Sequence, residues 1–139
     1  MAEVVIEQDF ALPVGRVFAH LSEHENLGPL FGAKVTRVRD GDTQRNGVGS
    51  VRRLRVAVLP AFEETVTRLV PDELIEYRIT RGSPLRGHLG RMVFTARDSG
   101  CHLSYTITFG AAVPGLAALV AVALRRNVSR GLQRVDRIA

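Results

Sequence analysis

The end of the chain carries a helical stripe. Leu116, Leu119, Val120, Ala123, Leu124, Val128, Val135 and Ile138 recur three or four residues apart, with Leu132 on the stripe's edge. Arg125, Arg126, Arg130, Arg134 and Arg137 collect on the other side. This period predicts one helix over Pro114–Ile138 with a single buried face. Pro114 suits the first turn, where its missing N–H is not needed, and the last arginines sit at the negative end of the helix dipole. At about 1.5 Å per residue such a helix is roughly 37 Å long, enough to cross a small domain.

The residues before it alternate instead. Val4, Ile6, Gln8 and Phe10 interleave with Glu3, Glu7 and Asp9, which predicts a first strand with one wet face. Pro13 then opens a helix with Val14, Val17, Phe18 and Leu21 on one side. Ser22-Glu23-His24-Glu25 fits a capping box, so a second short helix is expected there, stopping near Gly28-Pro29. A strand follows at Lys34–Arg39, and Asp40-Gly41-Asp42 and Asn46-Gly47 flank a polar loop. Val48–Val58, Phe62–Leu69, Glu73–Arg81, Gly87–Ala96 and His102–Phe109 have strand length and composition. Their short separators, Leu59-Pro60, Val70-Pro71-Asp72, Gly82-Ser83-Pro84 and Asp98-Ser99-Gly100, imply hairpins. The expected class is α+β: a curved antiparallel sheet of about seven strands wrapped around a long C-terminal helix, with two short helices between strands 1 and 2. A single domain over residues 1–139 is expected.

The pleat assigns the faces. Leu103, Tyr105, Ile107 and Phe109 are the apolar set of the last strand and must point inward. Hairpin pairing then turns His88, Gly90, Met92 and Phe94 inward, followed by Ile75, Tyr77 and Ile79, and by Phe62, Glu64 and Val66. Glu64 is thus a carboxylate on the apolar face. If Leu59-Pro60 is a two-residue connection, Arg55 lies across from Glu64 and Arg53 one diagonal step away. An odd connection or a bulge instead turns Leu54 and Val56 inward and those arginines to water.

Composition narrows the function classes. An apolar fraction of 45% excludes general disorder. The lone Cys101 and an acidic N-terminus without an apolar leader lead to the expectation of a cytoplasmic protein. The net charge is +5, but the arginines are spread over the whole chain without a nucleic-acid motif, so no nucleic-acid partner is expected. The apolar run Phe109–Leu124 has 16 residues, with Pro114 inside it, and falls short of the about 20 that a spanning helix needs. No transmembrane segment is expected, although the run followed by Arg125-Arg126 could make transient membrane contact. His20 and His24 flank short helices and are expected at the surface. Phosphate-binding, dinucleotide, nucleophile-elbow and zinc-ligand spacings are missing, so no cofactor and no metal are expected.

Pro13-Val14-Gly15-Arg16-Val17-Phe18, His24-Glu25-Asn26-Leu27, Gly47-Val48-Gly49-Ser50-Val51-Arg52, Glu64-Thr65-Val66, the Pro71–Tyr77 segment and the terminal helix together resemble the START-like (SRPBCC) superfamily. More narrowly the chain is similar to its bacterial polyketide cyclase/dehydrase and lipid-transport group. Gly28-Pro29-Leu30 stands where many relatives have a tryptophan. The resemblance implies the helix-grip fold and a cavity between helix and sheet. It also implies carriage or sensing of a hydrophobic small molecule such as a lipid, isoprenoid or polyketide. The residues expected to line the cavity are Glu64, Tyr77, Ile79, His88, Met92, Phe94, Tyr105, Leu116 and Val120, with Arg53 and Arg55 under the paired register. Two alternatives stand beside this reading: a cyclase or dehydratase using Glu64 as acid/base, and a module that binds a protein partner. The chain is expected as a monomer or homodimer.

Overall fold

The computed structural model of the chain describes residues 1–57 and 60–138, the last without its side chain. Alternating residues become one seven-stranded antiparallel sheet. Its strands are β1 (Ala2–Phe10), β2 (Lys34–Arg39), β3 (Val51–Arg55), β4 (Phe62–Val70), β5 (Leu74–Arg81), β6 (Leu85–Arg97) and β7 (Gly100–Ala111). The spatial order β1-β7-β6-β5-β4-β3-β2 makes β2 to β7 a meander, with β1 returning to pair with the last strand. α1 (Val14–Ser22), a 3-10 turn (His24–Asn26) and α2 (Gly28–Phe31) connect the two edge strands, and α3 (Leu116–Gln133) and α4 (Val135–Ile138) close the chain.

The registers bear out the expected inner face. Ile6 and Met92 both stand beside Tyr105, Ile75 is opposite Met92, and Phe94 is opposite Leu103. Leu103, Tyr105, Ile107 and Phe109 are buried at alternate positions of β7, as a sheet with one covered face requires.

The elements before the last helix depart from expectation in three places. The capping box does not form: Ser22 is the last residue of α1, and its hydroxyl donates to the Ala19 carbonyl at 3.2 Å. A helical turn begins at Gly28 rather than ending there, because Pro29 suits a first turn and Gly32, at φ 63°, closes it. The expected strand Val48–Val58 is shorter, Val51–Arg55; its Val58 end and Leu59 lie outside the described residues.

The long helix starts at Leu116 and is interrupted at Arg134. Its buried line runs through Ala121, Val128, Gly131, Leu132 and Val135, so Leu132 moves from the edge of the stripe to its centre. Leu119 is 70% exposed, and Ala123 is exposed with it. Nine residues at about 100° each put Leu119 diametrically opposite Val128, which the three-and-four spacing conceals. Gly131 decides which side wins: a Cβ there would come within 2.8 Å of Leu30 Cα, so only glycine lets α2 sit this close. The Asp136 carboxylate accepts the backbone N–H groups of Ala11 and Leu12 at 3.0–3.2 Å, tying the C-terminus to the end of β1.

Candidate functional site

Five polar side chains gather on the concave face. The β3–β4 register sets Arg52 opposite Glu64 and Leu54 opposite Phe62, so the even positions of β3 share the face of Glu64. Arg52 is 3% and Glu64 4% exposed. Arg52 Nε donates to Glu64 Oε1 at 2.8 Å, while Nη2 stands 2.8 Å from the same oxygen but out of line for a hydrogen bond. The guanidinium carbon lies 4.6 Å from the Tyr77 ring centroid and 5.7 Å from that of Phe31. Aromatic faces thus replace part of the hydration that the buried cation has lost.

Tyr77 extends the cluster because of the residue beneath it. It pairs across the sheet with Gly90, and a Cβ on Gly90 would fall inside the Tyr77 ring. The ring therefore lies flat over β6, and its hydroxyl reaches a hydrogen bond with the Tyr105 hydroxyl. His88, two residues before Gly90, packs with its ring centroid 5.5 Å from that of Tyr77. Its Nδ1 accepts the Ile79 backbone N–H at 2.9 Å, which assigns the proton of the neutral ring to Nε2. That nitrogen is 3.9 Å from Glu64 Oε2.

Burial governs the protonation states. It pushes the Glu64 carboxyl above its ordinary value, with the Arg52 guanidinium pulling the other way. It lowers His88 to about 4, helped by Arg52 and Arg78, so the imidazole is neutral near pH 7. Both phenols are raised, chiefly by burial, and stay protonated. The cluster can present N–H and O–H donors to one polar group, or move a proton at Glu64.

Of the expected lining residues, Glu64, Tyr77, His88, Met92, Phe94 and Tyr105 are buried together on this face. Ile79 is half-buried, as are Leu116 and Val120 on the first turns of α3. Arg53 and Arg55 are corrected: both are exposed on the outer face, because Leu54 pairs with Phe62 and the odd number of residues between them gives the inner face to the even positions of β3. Arg52 takes their role. The doublet Arg52-Arg53 was the available signal, since either register of that strand sets one arginine toward Glu64.

His24 is also corrected: it is fully buried, not at the surface. Arg37 holds Glu25 at 2.8 Å and Glu23 at 3.0 Å, which ties the residues on either side of His24 to β2. His24 Nε2 donates to Ser50 Oγ at 3.0 Å, whose own proton goes to the Gly47 carbonyl at 2.6 Å. His24 Nδ1 is buried without a hydrogen-bond partner among the described residues. Burial, with Arg52 and Arg37 nearby, lowers this histidine to about 3. Cys101 is buried as well, which raises its thiol.

Two open concavities lie away from α3. One, of about 660 Å³, runs between Val14, Asp72 and the Arg91–Ala96 part of β6. The other, of about 390 Å³, is on the outer face of β3, β4 and β5. Among the described residues no helix is long and apolar enough to cross a membrane.

A curved antiparallel sheet gripping a C-terminal helix, with a polar cluster on its concave face, defines the class: a helix-grip α+β protein. The chain belongs to the polyketide cyclase/dehydrase and lipid transport family, whose model matches residues 1–139. Comparison with the curated proteins found no match. Solved structures share the fold at low identity. TTHA0849 from Thermus thermophilus is 20% identical, with a TM-score of 0.76 over 96% of this chain and 97% of that one. XoxI from Bacillus cereus is 14% identical, with a TM-score of 0.74 over 99% and 94%. The Aha1 dimer from Colwellia psychrerythraea is 12% identical, with a TM-score of 0.71 over 99% and 98%.

Proposed function

We propose that the protein binds a hydrophobic small molecule, a lipid, isoprenoid or polyketide, between α3 and the concave sheet face. Its polar group would face Arg52, Glu64, His88 and the tyrosine pair. The observation that carries this reading is the polar cluster itself. Five buried polar side chains on an apolar face are costly for a core that only has to pack, and they suit a pocket that orients one polar group among apolar walls. The family description points the same way. Leu119 and Val122, exposed on α3, and Val113 just before it stand close in sequence to Arg125 and Arg126. This supports collection of the ligand at an anionic lipid surface.

Native mass spectrometry of protein purified from cells, with displacement of a fluorescent fatty acid, tests the reading. A one-to-one small-molecule complex, weakened by Tyr105→Phe, is expected. No bound molecule and no displacement by lipid, isoprenoid or polyketide probes would end it.

A second reading is favoured by the upward shift of Glu64 beside the His88 Nε2–H: acid/base catalysis of cyclase or dehydratase type on the bound molecule. It requires Glu64→Gln to abolish turnover while ligand still binds. Loss of binding and turnover together would return Glu64 to a binding role.

A further inference from the structure

The outer face of the sheet carries a second cluster of charge that plays no part in the reading above. Arg53 and Arg55 on β3 and Arg81 on β5 surround Glu63 on β4 in the concavity of about 390 Å³, with Ala61 and Gly82 completing its wall. Lys34 on β2 pairs in register with Arg55, so its ammonium shares this face. Three guanidinium groups therefore meet a single carboxylate in the recess, and the Lys34 ammonium adds a fourth positive charge on the same face.

The local backbone builds this arrangement. On β5 the inward residues are Ile75, Tyr77 and Ile79, and strict alternation would turn Arg81 inward too. The register instead shifts between Glu63 and Glu64, so that Glu64 pairs with Ile79 but Glu63 pairs with Arg81. This bulge sends Arg81 to the outer face beside Glu63. Gly82 follows at φ 85°, where a Cβ would come within 2.7 Å of the Ala61 carbonyl oxygen, so the β5–β6 turn lies tight against the start of β4. Glu63 accepts a hydrogen bond from Arg53 Nη2 at 2.9 Å. Among the described residues Arg55, Arg81 and Lys34 have no hydrogen-bond or ion-pair partner through their side chains.

We infer that this concavity binds a small molecule carrying linked phosphate groups. Guanidinium forks match phosphate oxygens two at a time, and converging cations with one internal carboxylate leave a net positive field in a recess of ligand size. The site lies on the sheet face opposite Arg52 and Glu64, so its failure would leave the apolar-ligand reading untouched.

Calorimetric titration with inorganic pyrophosphate at low ionic strength tests it. The wild type is expected to bind one equivalent saturably. Arg55→Gln/Arg81→Gln, which removes two surface side chains without a partner among the described residues, is expected to weaken binding by about tenfold or more, as the loss of charge-assisted contacts requires. Arg130→Gln/Arg134→Gln makes the same charge change on α3 and the residue after it, and should leave the affinity within about twofold. An equal loss in both variants would reduce the effect to overall basicity and overturn the proposal. So would the lack of saturable binding by the wild type, or tighter binding of an oligoglutamate peptide than of pyrophosphate.

Discussion

Arg52 and Glu64 face each other across β3 and β4, 2.8 Å apart, with both side chains cut off from water. Removing one charge strands the other where it cannot be hydrated. Glu64→Gln should therefore cost about 3–5 kcal/mol in urea unfolding. Arg52→Met/Glu64→Leu removes both charges at similar volume and should recover most of that loss. A double variant no more stable than the single one would mean that the two side chains are not an isolated pair.

Gly90 is there for Tyr77. A methyl at that position enters the phenol ring, so Gly90→Ala should destabilise the domain by about 1–3 kcal/mol through overpacking. In a Tyr77→Leu background the same substitution should cost much less, because the ring is gone. Equal costs in the two backgrounds, read by thermal denaturation, would contradict the stacking.

Exposure separates two residues of α3 that share an apolar character. Leu119→Asp places a charge in water and should change stability by no more than about 0.5 kcal/mol. Val128→Asp buries a charge without a partner and should leave no folded protein. Circular dichroism of the two variants suffices to check this.

Two buried histidines make the domain sensitive to acid. His24 and His88 titrate at about 3 and about 4 in the folded protein and near 6.5 when unfolded. Between these values the unfolded chain binds more protons. Their contribution is fully present above about 6.5, declines as pH falls, and is lost below the folded values. His102 acts with the opposite sign, because Asp9 and Glu7 raise it, but solvent screens that exposed cluster. The upward shift of Glu64 also has that opposite sign, and Arg52 limits it. The urea midpoint should fall steadily from pH 6.5 to pH 4, and His24→Asn should flatten the slope. Equal slopes for the wild type and His24→Asn would refute the assignment of His24 as a buried neutral imidazole.

Alternation alone located the strands and their inner face, and it brought Glu64, Tyr77, His88, Met92 and Tyr105 to one side, since a two-residue period has only two faces to choose between. It also showed that a carboxylate would be buried there. It did not choose the partner: whether Arg52 or its neighbours turn inward depends on the length of the β3–β4 connection, and one residue of slip reverses every side chain. The burial of His24 was hidden for another reason. Its Nε2 meets Ser50, twenty-six residues away in sequence, and Arg37 grips the two glutamates that flank it, contacts with no local signature. On α3 the apolar residues run around more of the helix than any one neighbour can cover. The close approach at Gly131 and Leu30, a matter of tertiary packing, buries Leu132 and leaves Leu119 in water.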